Sequence, residues 1–282
     1  MADTAKPFDW RAHVFPKRDN LPADLTTFDY LKAAAIILTI IDHVGWLLFP
    51  DVGWLRVLGR LCVPLWFFLI GYANTREIPG RWFVATFILF LMRMIVGLQP
   101  IPLCILMTMA LIRVTIDPLW RWLARRTEYF WWVILLLVFF TIPTGGMYFN
   151  ETMHLPGFVE YGTMGMVLAL AGYVVRHRPE IEEQFDAGFD RKVMIVGLTA
   201  FGILSAMAFK FDILHSITLA AGLLGVYFIL IDFEGKTLPG TAGNAQAPLV
   251  RFLGRYTLEI YVLHLLILMA VFGLDRLAAS IL

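Results

Sequence analysis

Charged residues are scarce in this sequence, and their scarcity excludes most classes of soluble protein. Asp, Glu, Lys and Arg make up 16% of the 282 residues, whereas 59% of the residues are hydrophobic. The mean hydropathy is +0.73. Because a water-soluble domain usually contains about 25% charged residues, so apolar a chain needs lipid rather than water around much of its surface. The sequence is therefore typical of an integral membrane protein.

Several other features are missing, and each absence excludes a kind of site. The 23 basic residues nearly balance the 22 acidic ones, which gives no case for a nucleic-acid partner. Cysteine occurs twice, as Cys62 and Cys104 inside apolar runs, so a disulfide framework is excluded and both are expected to be packing residues. There is no HExxH motif, carboxylate cluster or pair of cysteines, so we expect no metal site. A glycine-rich phosphate loop is also missing.

What the sequence does contain is a series of apolar segments. A bilayer core of about 30 Å requires about 20 residues of helix. By this measure we expect an all-α, polytopic transmembrane bundle of about nine spans, within a range of about eight to ten. We predict a tail at 1–27 without a signal-peptide core and a single transmembrane domain at 28–282. The predicted spans are 28–49, 54–73, 82–98, 101–116, 129–143, 158–175, 192–209, 214–233 and 250–273.

The distribution of Lys and Arg predicts the orientation. They concentrate in alternate loops beginning with the N-terminal tail, while only Arg56, Lys210 and Arg276 fall in the other set. Short basic loops stay on the cytoplasmic side, so we expect a cytoplasmic N-terminus in a multi-pass protein of a bacterial inner membrane. Segment 118–126 mixes Trp with Arg and predicts contact with membrane lipids. A landing surface for an anionic cofactor would have the same composition.

Ionisable side chains inside the predicted spans are the main functional candidates, because placing them in a membrane costs a few kcal/mol each. They are Lys32, Asp42, His43, Arg60, Arg93, Asp232, Glu259 and His264.

The first span is the most informative. Eleven positions separate Lys32 from His43, so both lie on one helix face, about 16 Å apart along the axis. Asp42 points about 100° away from His43 and is expected to pair with Arg60 or Arg93 on another helix. The alternative is structural: Asp42 and His43 form a hydrogen-bonded packing patch, and Lys32 extends to the interface.

The other ionisable residues also have two interpretations. Arg60 and Arg93 either pair with Asp42 or Glu259, or bind an anionic substrate. In the last span, Arg255 and Glu259 have the i, i+4 spacing of a structural pair. His264 lies deeper, and a lone histidine there is more often a packed core residue than a site.

Three motifs in chain order carry a resemblance to a known family. In the first span, Lys32 and His43 are separated by ten residues and Asp42-His43 is followed by Gly45. Phe67-Phe68 and Gly71-Tyr72 end the second span, after Arg60 and Pro64. In the last span, Thr257 is followed by Ile260-Tyr261 and then His264. Over about residues 28–98 and 250–268 the chain resembles the TraX family, within the wider group of membrane acyltransferases that includes the acyltransferase-3 family. The chain departs by having Lys at 32, where Arg is commoner, and about nine rather than ten spans.

The resemblance implies a membrane-embedded acyltransferase that uses cytoplasmic acyl-CoA, for example acetyl-CoA. It implies His43 as general base or acyl carrier beside Asp42, and Lys32, Arg60 and Arg93 as cofactor-binding residues. Tyr261, His264 and Glu259 would contact the substrate, and either Arg60 or Tyr261 would steady the oxyanion. TraX itself is associated with N-terminal acetylation of conjugative pilin. The acceptor stays open: a hydroxyl or amine of a surface glycan, a lipid-linked sugar or a pilin-like protein.

Two alternatives come from other classes of protein. The first is a proton-coupled transporter or flippase, in which Asp42, His43, Glu259 and His264 form a relay. Internal repeats would favour a transporter, and the two halves of the sequence show none. The second is a purely structural assembly partner, favoured by the lack of a convincing nucleophile.

Overall fold

The computed structural model describes residues 21–144 and 159–281, and within these ranges the chain is all-helical, as expected. Residues 1–20 of the predicted tail lie outside the described residues. A short 3₁₀ helix, Thr127–Tyr129, lies between the fifth and sixth α-helices. The α-helices are α1 Thr27–Leu47, α2 Gly53–Arg60, α3 Cys62–Tyr72, α4 Gly80–Ile95, α5 Ile105–Ala124, α6 Phe130–Thr144, α7 Gly162–Arg176, α8 Arg178–Glu182, α9 Phe189–Ala208, α10 Ile213–Ile231, α11 Ala247–Arg255 and α12 Thr257–Ile281.

Helices lie at each of the predicted spans, but not all of them are long and apolar enough to cross a bilayer. In the described residues, five segments are long and apolar enough to do so: Thr27–Leu47, Gly53–Tyr72, Phe189–Ala208, Ile213–Ile231 and Thr257–Ala278. Helices α4, α6 and α7 have 15 or 16 residues, whereas a helix needs about 20 residues to span a bilayer core. Helix α5 has 20 residues but carries Arg113, Asp117 and Arg121. The structure thus supports an all-α membrane protein with five such segments.

The start of α1 is fixed by a local capping box and by a hydrogen bond from a residue far away in the sequence. The side chain of Thr26 accepts a hydrogen bond from the backbone N–H of Asp29, and the Asp29 carboxylate accepts one from the Thr26 N–H. This capping box satisfies N–H groups that have no partner inside the helix. Arg255 donates to the same carboxylate, from Nη2 to Oδ2 over 3.1 Å. The end of α11 is thereby joined to the start of α1.

The predicted pair between Arg255 and Glu259 is therefore wrong. Helix α11 ends at Arg255 and α12 begins at Thr257, so the two residues do not share the continuous helix that i, i+4 contact requires. Glu259 pairs instead with Arg81, over 3.4 Å.

Helices α3 and α7 cross at the centre of the bundle. Nearly every side chain of both helices is buried, which agrees with their apolar character on all sides. Two glycines allow the helices to touch. A Cβ atom on Gly71 would lie 1.8 Å from the carbonyl oxygen of Ala169, and one on Gly172 would lie 2.1 Å from that of Phe68. This contact holds α3 and, through it, one wall of the cavity described below.

We expect Gly71→Ala to destabilise the protein by about 1–3 kcal/mol, since the added methyl group forces the two backbones apart. Gly225→Ala in α10 is the matched control, because a Cβ atom there meets nothing within 4 Å. Alanine also favours helix at such a site, by up to about 1 kcal/mol. Thermal unfolding of both variants in one detergent measures the difference. Equal midpoints would contradict the close crossing.

Candidate functional site

A cavity of about 260 Å³ with several polar and charged side chains in its lining lies between α1, α3, α4, α5 and α12. Lys32, Arg81 and Arg113 line one part of it, and His43 lines another. Lys32 and His43 are eleven positions apart in α1, which corresponds to a rise of about 16 Å, so residues well separated along this helix line the same cavity. We call the part lined by Lys32, Arg81 and Arg113 the mouth, and the part lined by Asp42, His43, Cys62, Glu160, Tyr161 and Tyr261 the deep end.

His43 lies in a chain of hydrogen bonds that determines which ring nitrogen carries its proton. Nδ1 of His264 lies 2.8 Å from the carbonyl oxygen of Ile260. A carbonyl only accepts, so this nitrogen must donate, and in a neutral ring Nε2 of His264 is then an acceptor. Nδ1 of His43 lies 2.7 Å from that Nε2 and must be the donor. In a neutral His43 ring, Nε2 therefore has a free lone pair, which a general base requires.

The sequence predicts His264 as a packed core residue, a substrate contact or a member of a relay with His43, but it does not predict this direct hydrogen bond between the two rings. Residues 43 and 264 come from the first and last predicted spans, and nothing in the local sequence says which helices become neighbours. The ring of Tyr261 also packs near His43, with centroids 5.9 Å apart. Two of the three predicted substrate-binding residues, Tyr261 and His264, thus lie beside the predicted base.

Asp42 is buried between two arginines. The Arg60 guanidinium binds it with two nitrogens, Nε to Oδ1 over 3.0 Å and a very short contact from Nη2 to Oδ2. Nη1 of Arg56 forms an ion pair with Oδ2 over 2.9 Å and donates a hydrogen bond to the backbone carbonyl oxygen of Asp42 over 2.8 Å. The predicted pairing of Asp42 with Arg60 is confirmed. The role of Arg56, which was assigned to an outer loop, was missed. Such forked, buried pairs fix the orientation of both groups.

Arg93 has a different partner from either of the expected ones. Its Nη2 lies 3.3 Å from the Glu160 carboxylate, and its Nη1 donates to the carbonyl oxygen of Pro102 over 2.5 Å. The other carboxylate oxygen of Glu160 accepts from the backbone N–H of Ile105 over 3.1 Å. The predicted pairing of Arg93 with Asp42 or Glu259 is therefore wrong.

Two deep-end residues, Glu160 and Tyr161, were absent from the list of candidates. They precede α7, at the start of the predicted span 158–175, so the signal was a carboxylate at the edge of an apolar segment. Of the remaining candidates, Lys32 lines the mouth, whereas Glu259 is half-exposed beside Arg81. Asp232 lies just past the end of α10 and is exposed. In the described part of the chain, no three His, Cys, Asp or Glu residues are grouped so as to hold a metal ion.

A comparison with known proteins finds a distant relative. The chain is 24% identical over 256 residues to an uncharacterized protein of Rickettsia prowazekii (strain Madrid E), which covers 86% of this chain and 91% of the relative. No protein-family model and no solved structure matches the chain. This similarity spans most of both proteins and assigns no activity.

Proposed function

We propose that the protein is a membrane-embedded acyltransferase that moves an acyl group, most simply acetyl, from acyl-CoA to a hydroxyl or amine acceptor. The observation that carries the proposal is the cavity that joins a basic mouth to His43. We further propose about nine spans with a cytoplasmic N-terminus in a bacterial inner membrane, because the mouth then faces the compartment that supplies acyl-CoA. The acceptor is a surface glycan, a lipid-linked sugar or a pilin-like protein.

The shape and charge of the cavity suit acyl-CoA. Lys32, Arg81 and Arg113 at the mouth offer cations to the phosphates of the nucleotide end. The walls between mouth and deep end are mainly apolar, with side chains such as Leu69, Ile70 and Met109. These suit the narrow pantetheine arm, which carries the thioester towards His43. Arg60 and Arg93 lie deeper than Lys32, where they would act at the acyl end of the cofactor.

His43 supplies the base in this proposal. Its Nε2 lone pair removes the proton from the acceptor as the acceptor oxygen or nitrogen attacks the thioester carbonyl carbon. The carbon–sulfur bond then breaks, and the imidazolium returns the proton to the leaving CoA sulfur. The products are an acylated acceptor and CoA. His264 positions the ring through Nδ1, and Asp42 with Arg60 holds the neighbouring turn of α1.

The proton-relay alternative is supported by one contact and weakened by two. The hydrogen bond between His43 and His264 is the kind of link a relay needs. However, Glu259 pairs with Arg81 on the half-exposed side, and Asp42 is bound by Arg56 and Arg60. A relay through all four predicted residues would require both sets of pairs to separate.

Binding of acetyl-CoA to the purified protein tests the proposal. A ligand that binds only the folded state stabilises it by about 2.7 kcal/mol at 100 times its dissociation constant. We expect acetyl-CoA, but not acetate, to raise the unfolding temperature. Lys32→Gln should weaken acetyl-CoA binding about 10-fold, since it removes one charge-assisted contact.

Lys192→Gln is the control for this charge, because Lys192 pairs with the exposed Asp186 outside the cavity. Stabilisation by ions, with no response to acetyl-CoA, would favour the transporter instead. Equal binding by the two variants would contradict the placement of the phosphates at the mouth.

A further inference from the structure

Tyr161 has a backbone conformation that bulky residues rarely adopt. It lies just before α7 with φ of 63° and ψ of −13°, in the left-handed region. For a residue with a large side chain this conformation is a genuine outlier, and it persists only where surrounding contacts enforce it. One such contact is edge-to-face packing of the ring on Phe67, with centroids 5.7 Å apart. The side chain is thereby held at the deep end of the cavity.

Arg60 holds the hydroxyl group of Tyr161. While Nε and Nη2 of Arg60 bind Asp42, its Nη1 donates a hydrogen bond to Oη of Tyr161 over 2.8 Å. A phenol oxygen that accepts one hydrogen bond still has its own O–H proton to donate. Within residues 21–144 and 159–281, no protein acceptor for this proton is seen. Tyr161, whose hydroxyl is this donor, lines the same cavity as His43.

Asp42, Arg60 and Tyr161 form a line of charge-assisted hydrogen bonds. The carboxylate orients the guanidinium, and the guanidinium withdraws electron density from the phenol oxygen, which strengthens the phenol as a donor. Since Asp42 occupies two nitrogens of Arg60, the charge of Arg60 reaches the cavity partly through Tyr161. A donor fixed before substrate binds is the arrangement that stabilises a developing oxyanion most effectively.

We propose that Tyr161 is a catalytic residue that donates a hydrogen bond to the oxyanion formed from the thioester carbonyl. This rests on the proposed acyltransferase function. The acceptor oxygen or nitrogen bonds to the carbonyl carbon, His43 takes the proton, and the π electrons of the carbonyl move to its oxygen. Tyr161 donates to that oxygen without losing its proton. The carbonyl re-forms as the carbon–sulfur bond breaks, and CoA sulfur takes the proton from His43.

The test is Tyr161→Phe, which removes the hydroxyl and keeps the ring on Phe67. Transfer of radiolabelled acetyl from acetyl-CoA is measured with the full-length variant and membranes from cells lacking the gene as the source of acceptor. We expect kcat to fall about 100- to 1,000-fold, as when one oxyanion donor is lost. The KM for acetyl-CoA should change less than about 3-fold, because the hydroxyl acts on the transition state.

Tyr173→Phe is the matched control, since it removes a hydroxyl from α7 away from the cavity. It should transfer acetyl at the wild-type rate. Transfer by Tyr161→Phe at that rate, with active wild-type protein, would overturn the role of Tyr161 and leave the acyltransferase proposal standing. A rise in the KM of Tyr161→Phe with unchanged kcat would also overturn the role of Tyr161. Absence of binding and transfer in the wild type would overturn both proposals.

Discussion

Replacement of His43 with Gln is expected to reduce acetyl transfer about 100- to 10,000-fold, the usual contribution of a general base. Glutamine fills similar space and can still donate to Nε2 of His264, so the bond between the two helices can be retained. It has no basic lone pair to take the acceptor proton. Initial rates with labelled acetyl-CoA, together with the acetyl-CoA dissociation constant, separate lost chemistry from lost binding. The dissociation constant should be nearly unchanged.

His177→Gln is the control for this substitution. His177 follows α7, and its Nδ1 lies 2.9 Å from the carbonyl oxygen of Tyr173, outside the cavity. Its replacement should leave transfer unchanged. If the His43 variant is folded, binds acetyl-CoA and transfers acetyl at the wild-type rate, His43 is neither the base nor the acyl carrier.

Asp42→Asn is expected to produce the largest loss of stability, about 3–5 kcal/mol, because it removes one charge of a buried pair. The carboxylate and the Arg60 side chain are 3% and 7% exposed. Without the carboxylate the buried guanidinium loses the charge that offsets its desolvation. Unfolding by heat and by denaturant in one detergent measures the effect. The double variant Asp42→Asn with Arg60→Met should recover part of the loss, since it removes the buried cation as well.

Asp186→Asn provides the contrast. Asp186 pairs with Lys192 over 3.3 Å, and its side chain is 86% exposed. An exposed pair contributes at most about 1 kcal/mol, so this variant should unfold close to the wild type. Equal stability losses at positions 42 and 186 would contradict the burial of the pair between Asp42 and Arg60.

The helices were predictable because hydropathy is a local property. Segments such as 192–209 and 214–233 differ from α9 and α10 by a few residues at most. The break after Arg255 was not predictable from spacing, because Tyr256 interrupts the helix within an amphipathic pattern that looks continuous. Because of this interruption, Arg255 forms an ion pair with Asp29, and Glu259 forms one with Arg81.

The candidate site was predictable only in part, because side-chain partners depend on how helices pack. Asp42, His43 and Arg60 could be identified from the sequence because placing an ionisable side chain in a membrane costs free energy. The contact of His43 with His264 joins residues 221 positions apart, and local patterns do not reveal it. Glu160 and Tyr161 were missed since they lie at a helix start, where a polar residue is unremarkable in sequence. Their importance is seen only in the structure, where Arg93 contacts Glu160 and Arg60 contacts Tyr161.

The most direct test of the central claim is a structure of the protein with a thioether analogue of acetyl-CoA that cannot transfer its acyl group. We expect the phosphates beside Lys32 and Arg81 and the carbonyl carbon about 3–4 Å from a position where an acceptor would contact Nε2 of His43. The carbonyl oxygen should accept from Tyr161. An analogue bound outside the cavity, or with its nucleotide end at His43, would contradict the assignment of mouth, base and reacting end together.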